Sequence, residues 1–191
     1  MNSSVSFTEM PISDLIDEIA MGPFGSNIKV DCFVEDGVPV FNGSNLTSYA
    51  TNDDALRYVT EEKARSLGRA LASRGDVVIT HRGTLGQISY IPSTSKYEHY
   101  VISQSQFRIR CNDKVLPQYL VYYFHTREGQ HRILSNKAQT GVPALGRPTS
   151  TFQKISMPIP PVDYQRECVA ILDLLQSKIE PNNRLNDYLA A

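Results

Sequence analysis

The stretch that most constrains this chain is the proline cluster at residues 158–161, Pro-Ile-Pro-Pro. Proline has no backbone N–H and a fixed φ, so this segment cannot continue a regular helix or form a central strand. Beyond it the pattern changes, because apolar side chains recur at spacings of 4, 3 and 4, as in a helix that pairs with another. This seam consists of Cys168, Leu172, Leu175 and Ile179. The sequence therefore predicts two units, a domain over residues 1–160 and a helical segment over residues 161–191.

The helical segment is expected to begin at Asp163 as its cap. Such a helix cannot bury its seam alone, so it needs either its own domain or a second helix. Pro181 removes a backbone donor and clashes with the preceding turn, so we expect residues 182–190 to kink away or fray.

The first 160 residues alternate short strand and helix signals. Thr60 can cap a helix that runs to Leu67, and Pro117 can open another as its first residue, with a further helical stretch to Leu134. Residues 101–111 alternate as a half-exposed strand, with Arg108 on the exposed face. Residues 135–150 are predicted to be a long loop. The fold class indicated is α+β, with a mixed or antiparallel sheet and short helices.

One predicted hairpin carries an unusual loop. Two strand-like runs, at residues 77–79 and 88–91, flank the sequence His-Arg-Gly-Thr-Leu-Gly at 81–86. A turn requires glycine, asparagine or aspartate but no arginine, so Arg82 is either a solubilising residue or a contact for a ligand.

The charge is distributed unevenly along the chain. The net charge is −1, yet residues 1–66 sum to −7, residues 67–160 to +8 and residues 161–191 to −2. A basic segment of this size suggests a polyanionic partner such as nucleic acid. We expect Arg82, Lys137, Arg147 and Lys154 to share one side of the domain, with the acidic first third elsewhere.

Motifs for catalysis or cofactor binding are absent from the sequence. The four histidines lack metal-ligand spacing, and residues 22–26 lack the Lys-Ser/Thr of a phosphate-binding loop. Neither a nucleophile motif nor the motifs of an adenine methyltransferase are present. We therefore predict no metal, no cofactor and no catalysis, with a hydrolase of unrecognised site as a distant alternative.

Polar loops remain as candidates for binding. Their side chains are of the types that contact phosphates and base edges, although Asn, Ser and Thr also serve simply as turn formers. The candidate DNA-binding residues are Ser26, Asn27, Lys29, Asn42, Ser44, Asn45, Arg82, Thr84, Lys137, Gln139, Thr140 and Arg147.

Several segments, in this order and spacing, resemble the specificity subunit of type I restriction-modification systems. They are Gly22–Lys29, Gly75–Ile79, Arg82–Gly86, Val101–Gln106, Pro117–Leu120, Thr140-Gly141 and Ile159–Gln165. The proline joint with Gln165, followed by an apolar-seamed helix, is the most specific of them.

The resemblance implies a target recognition domain followed by a conserved-region helix. In that family two such units read the two halves of a split DNA target, and their helices pair antiparallel as a spacer. Modification subunits that methylate adenine dock on this scaffold, and a restriction subunit can join. A lone unit would be half of a longer subunit or a half-subunit that forms a homodimer. The alternative is an assembly module that acts through its helix without contacting DNA.

The remaining features fit a cytoplasmic protein. No run approaches 18 apolar residues, the first residues lack the pattern of a signal peptide, and the three cysteines are widely separated. Free thiols in a reducing compartment are the simplest interpretation, and no membrane partner is expected.

Overall fold

The computed structural model describes residues 5–137 and 142–190. Its central element is a four-stranded antiparallel sheet that contains the predicted hairpin. In sheet order the strands are β2 (Ile16–Met21), β10 (Gln106–Cys111), β7 (Val77–Thr80) and β8 (Ile88–Tyr90). Strands β7 and β8 pair with Val77 opposite Tyr90, which confirms the hairpin.

A second, five-stranded sheet packs beside the first. It is antiparallel except where β4 and β9 run parallel. In sheet order the strands are β3 (Phe33–Val34), β5 (Arg57–Val59), β4 (Val38–Val40), β9 (His99–Val101) and β6 (Leu71–Ser73). A short antiparallel ribbon, β1 (Thr8–Pro11) with β11 (Ser156–Ile159), joins the two ends of the domain.

Four short helices and one long helix complete the fold, so the α+β class is confirmed. They are α1 (Glu61–Ser66), α2 (Pro117–His125), α3 (Arg127–Leu134), α4 (Pro148–Lys154) and α5 (Val162–Ala190). The main core lies between the four-stranded sheet and helices α2, α3 and α4, where Phe107, Phe124 and Phe152 are fully buried.

The helix starts follow the predicted capping chemistry in most places. The Thr60 side chain accepts a hydrogen bond from the Lys63 amide at the start of α1, and Pro117 is in the first turn of α2. The long loop predicted over residues 135–150 is wrong at its end, because Pro148 starts a helical turn. Asp163 is not the cap of α5, which begins one residue earlier, and its carboxylate accepts from Arg166.

A buried ionic network joins the two sheets. The carboxylate of Asp76, which is fully buried, accepts from Arg108 at 3.3 Å, from Arg110 at 2.9 Å and from the Ser73 amide at 2.9 Å. Arg108 also donates to Glu18 at 2.9 Å. The network thus connects β2, β10, the start of β7 and the end of β6.

This network corrects the prediction that Arg108 points to solvent. Its side chain is only 5% exposed, and Gln106 on the same face of β10 is buried as well. Burial alone would raise the pKa of Glu18, but the charges and hydrogen bond of Arg108, with Arg110 and Arg69, hold that pKa below its ordinary value. On the face of β10 that alternation assigned to water, Gln106 and Arg108 are therefore covered, whereas Arg110 stays 46% exposed.

Helix α5 is fixed to the domain at its first turns. Gln165 is fully buried; its amide nitrogen donates to the Lys114 and Pro160 carbonyls, and its oxygen accepts from the Leu116 amide. Further along, the Tyr122 hydroxyl of α2 donates to the Asp173 carboxylate at 2.6 Å.

The predicted seam of α5 divides between two environments. Cys168 and Leu172 are half-buried, whereas Leu175 and Ile179 are 52% and 46% exposed. The larger exposed set, here called the free stripe, consists of Ile171, Leu174, Leu175, Ile179, Leu185 and Leu189. The helix runs through Pro181 as one element to Ala190, so the predicted fraying of residues 182–190 is wrong, while a kink at Pro181 stays a prediction.

Removing the buried carboxylate is expected to destabilise the whole domain. Asp76→Ala leaves the Arg108 guanidinium with one anionic partner in a buried position, and breaking a buried pair costs about 3 kcal/mol or more. Urea denaturation followed by circular dichroism gives the change in the free energy of unfolding. Asp113→Ala, which removes an exposed carboxylate with no ion pair among the described residues, is the control. A loss no larger than that of the control would contradict this role.

Candidate nucleic-acid interface

The hairpin loop that carries Arg82 is held in one conformation. Gly86 has φ of +92°, a left-handed value that suits glycine, and its carbonyl accepts from the Gln130 side chain of α3 at 3.0 Å. A Cβ at this position would lie 2.7 Å from the same Gln130 side chain. The loop is therefore anchored to the helical layer rather than free in solvent.

A second segment, residues 142–147, braces the other side of this loop. The Gly83 amide donates to the Pro143 carbonyl at 2.9 Å, and the Leu145 amide donates to the His81 carbonyl at 2.9 Å. Arg82 forms a β-bridge with Ala144, next to the bridge between Lys137 and Leu145. The backbones of Arg82, Lys137 and Arg147 are thereby brought together, while the sharing of one side of the domain by their side chains stays a prediction.

The loop at residues 42–46 joins the same group. The Gln87 side chain, at the end of the hairpin loop, donates to the Gly43 carbonyl at 3.1 Å. Asn42 caps the turn by accepting from the Ser44 amide and hydroxyl. Asn42 and Ser44 remain exposed at this edge of the domain.

Asn45 requires a correction. It is fully buried, and its amide group donates to the Asn52 and Asp54 carbonyls while its oxygen accepts from the Asn42 amide. All its hydrogen-bonding capacity serves the turn, so the predicted DNA contact by Asn45 is wrong for this conformation.

The loop at residues 22–29 packs against residues 103–106. The Gly22 amide donates to the Gln106 carbonyl at 2.8 Å, and a Cβ on Gly22 would lie 1.9 Å from the Ser103 carbonyl oxygen. Only glycine permits this approach. The His81 ring nitrogen is 3.2 Å from the Gln104 carbonyl, which links this segment to the hairpin loop.

Burial lowers the pKa of His81, and the adjacent charge of Arg82 acts in the same direction against the hydrogen bond to Gln104. His81 is therefore neutral at physiological pH, and its role at this edge is to hold two loops together. The positive charge of the hairpin loop belongs to Arg82 alone.

Four exposed cations of the interface lack carboxylate partners. Within the residues that the structure describes, no Asp or Glu oxygen lies within 4.0 Å of the charged groups of Lys29, Arg82, Lys137 and Arg147. Several arginines elsewhere are paired, for example Arg132 with Glu9 and Arg108 with Asp76. An exposed cation without an internal partner is available to a phosphate.

The predicted site residues differ in their exposure, and some of them lie outside the described residues. The hydrogen bonds above connect residues 22–29, 42–46, 81–87 and 103–106 with the bridged segments at 137 and 142–147, here called the interlocked loops. The predicted residues that are exposed on them are Asn27, Lys29, Asn42, Ser44, Arg82, Thr84, Lys137 and Arg147. Gln139, Thr140 and the side chain of Ser26 lie outside the described part of the chain. Arg147 also has φ of +48°, a left-handed value uncommon for a residue with a side chain. Lys154 lines a groove with Asn136, the neighbour of Lys137.

Three residues of this edge were not predicted. Gln87 and Gln104 connect the loops, and Arg57 places its guanidinium 5.0 Å from the centre of the Phe33 ring. A glutamine between two strands gives no signal in a single sequence, and the aromatic partner of Arg57 is distant along the chain.

The described residues contain no group of three His, Cys, Asp or Glu side chains placed to hold a metal ion. Within the same residues, no helix combines the length and apolarity needed to cross a bilayer.

The fold is similar to that of solved type I system proteins. A structure described as showing complex assembly and conformational transition of the type I R-M system matches with a TM-score of 0.68 and 20% identity, covering 94% of this chain and 40% of the other. The HsdS subunit from Thermoanaerobacter tengcongensis matches with a TM-score of 0.63 and 22% identity, covering 95% and 40%. The type I system S subunit from M. genitalium matches with 0.65 and 14%, covering 95% and 42%.

The sequence matches one family model, the type I restriction modification DNA specificity domain, over residues 26–191. The chain therefore belongs to the family of type I restriction-modification specificity domains, as the resemblance predicted. No curated protein matches it. The chain spans about 40% of the length of the solved chains that it matches.

Proposed function

We propose that this chain is one target recognition unit of a type I specificity subunit and reads one half of a bipartite DNA sequence. The observation that carries the proposal is the cluster of unpaired, exposed cations on interlocked loops. Charges that need no internal partner can neutralise phosphates, and loops fixed by hydrogen bonds lose little entropy when they bind. Membership of the DNA specificity family supports the choice of duplex DNA as the partner.

The side chains of the interface divide by chemistry. Lys29, Lys137 and Arg147 suit phosphate contacts, which fix register without reading sequence. Arg82, on a hydrogen-bonded hairpin loop beside Thr84, is our candidate for contact with a base edge, where arginine reads guanine through two hydrogen bonds. Asn27 and Ser44 are exposed on the interlocked loops and can supply further polar contacts.

We propose that the chain does no chemistry itself and that modification subunits carry out adenine methylation on DNA that it selects. A restriction subunit would join only through that complex. Residues 1–160 would form the recognition domain and residues 161–191 the spacer. Because the chain spans about 40% of the solved chains that it matches, a second recognition unit or a second copy would read the other half of the target.

Methylation mapping tests the proposal directly. Cells that carry the matching modification subunit are compared with and without this chain, and genomic adenine methylation is mapped. We expect methylation at a bipartite motif only when the chain is present. An unchanged methylation map would overturn the recognition role and leave the assembly module without DNA contact as the function.

Arg82→Ala is expected to reduce the affinity of the assembled complex for its target. Loss of a base contact would cost about 1–3 kcal/mol and relax one position of the motif, whereas loss of a phosphate contact would weaken all sequences alike and reduce the salt dependence. Fluorescence anisotropy at several salt concentrations separates the two.

Arg65→Ala is the matched control, because Arg65 is exposed on α1 and paired with Glu61. If Arg82→Ala and Arg65→Ala bind with the same affinity and yield the same methylated motif, Arg82 is not part of the interface.

We also propose that α5 is the spacer and pairs through its free stripe. Its 29 residues would span about 43 Å at 1.5 Å per residue, slightly more than one turn of B-DNA. An exposed apolar stripe of this length is costly in water, and covering each Leu or Ile is worth about 1.5–3 kcal/mol. An antiparallel partner helix, from a second copy or a second unit, would cover it.

The double substitution Ile171→Glu with Leu175→Glu is expected to abolish self-association and to weaken capture of the modification subunit. Charges on the free stripe would be buried by pairing, so the paired state loses stability. Sedimentation velocity gives the mass, and a pull-down gives the partner binding. Ala170→Glu with Ser177→Glu adds the same charge at exposed positions outside the free stripe and is the control. If mass and partner binding stay at parent values in both variants, the spacer model is wrong.

A further inference from the structure

A cavity of about 300 Å³ opens at the interface beside the loop at residues 22–29. Its walls combine aromatic rings with polar side chains at the rim, the composition of a pocket for a small planar ligand. The lining includes Phe24, Phe33, Phe41, Asn42, Arg57 and Gln104. Three of these, Phe24, Asn42 and Gln104, belong to segments of the interlocked loops, so the cavity is continuous with the candidate DNA surface.

Phe24 stands at this cavity on a fixed support. Its side chain is 83% exposed, although the loop that carries it is tightly bound. Pro23 beside it is buried, Gly22 is in contact with the Ser103 carbonyl, and the Asn27 amide donates to the Phe24 carbonyl at 2.8 Å. This exposed ring is continuous with the apolar lining of the cavity, which includes Phe33 and Ile28, and a contiguous apolar surface of this kind marks a ligand-binding groove.

The other walls define what that partner is. Arg57 lies over the Phe33 ring, an arrangement that offers a flat cationic face, and has no ion pair within the residues described. The side-chain nitrogen Nδ2 of Asn42 and the side-chain amide of Gln104 also have no hydrogen-bond partner in the described part of the chain. Aromatic and guanidinium planes stack on nucleobases, and free amides hydrogen-bond their edges.

We propose that this cavity accepts one nucleobase that leaves the stack of the bound duplex and lies against Phe24, with Asn42 and Gln104 at its edge. The inference rests on the proposed DNA recognition function. The unpaired Lys29 beside the loop favours the adjacent phosphate, so the charge of the site suits a nucleotide of DNA. The unstacked base would add selectivity at a position where base pairing is weak, because a mispaired base costs less to extrude.

The test uses the chain assembled with its modification subunits and duplexes that carry 2-aminopurine at each position of the mapped half-site in turn. We expect a rise in 2-aminopurine fluorescence at one position other than the methylated adenine. We expect a mismatch at that position to tighten binding. Phe24→Ala should remove the rise and weaken binding about 5- to 150-fold, the range for a base stacked on an aromatic ring.

Two further variants test whether the aromatic ring of Phe24 causes the effect. Val30→Ala removes an apolar side chain with nearly the same exposure, 82%, that does not line the cavity, and should stay within about twofold of the parent. Phe24→Leu keeps an apolar side chain without a ring and should also lose the fluorescence rise.

The inference is overturned if fluorescence rises only at the methylated adenine, or if the rise survives in Phe24→Ala. In both cases salt-dependent binding and site-specific methylation would persist, so the proposed function would stand. Absence of DNA binding and of methylation in the parent complex would instead overturn the proposed function, and this inference with it.

Discussion

The carboxylate of Asp76 is the point on which the rest of the structure depends. It lies at the start of β7, fully buried, and receives hydrogen bonds from two arginines of β10 and from the Ser73 amide at the end of β6. An ion in this position is tolerated only because its oxygens are fully used. The bond to Ser73 ties the five-stranded sheet to the four-stranded one. The Asp76 carboxylate holds β7 and β10 in position. The hairpin loop follows β7 and residues 103–105 precede β10, so the position of these interface segments depends on Asp76.

The same network shows that some charges of the basic segment are buried in ion pairs and do not contribute to a basic surface. The net charge of +8 over residues 67–160 suggested a basic surface. However, Arg108 forms ion pairs with Asp76 and Glu18, and Arg132 forms one with Glu9. Glu9 and Glu18 of the acidic first third thus pair with arginines of the basic segment, and within the described residues neither forms an ion pair with Arg82, Lys137, Arg147 or Lys154. The cations proposed here to contact DNA lie on loops, where no described carboxylate is within 4.0 Å of them. A charge count along the chain predicts a polyanion partner without showing which residues serve it.

Local signals predicted several elements well, and the failures have both local and long-range causes. The hairpin, the Thr60 cap and the Pro117 helix start depend on neighbours in sequence, and each is confirmed. Asn45 is buried in a local turn whose hydrogen bonds reach Asn42, Asn52 and Asp54, whereas Arg108 depends on distant partners. The partner of Arg108 in β2 is 90 residues away, and alternation in β10 cannot indicate that Gln106 and Arg108 on its polar face are covered. The interface was therefore predictable as a set of loops, while the glutamines that join them were not.

The joint between domain and helix combines a local and a long-range constraint. Pro160 and Pro161 restrict the backbone, and the buried Gln165 uses both ends of its amide to bind the turn that precedes α2. Burial, together with the hydrogen bond to Asp173, raises the pKa of Tyr122, so its hydroxyl stays protonated and holds α5 a further two turns along. Two anchors separated along one helix fix its direction as well as its position. If α5 is the spacer, the distance between two half-sites is then determined by this joint and not by helix length alone, because a small change in its angle moves the far end of a 29-residue helix by several ångströms.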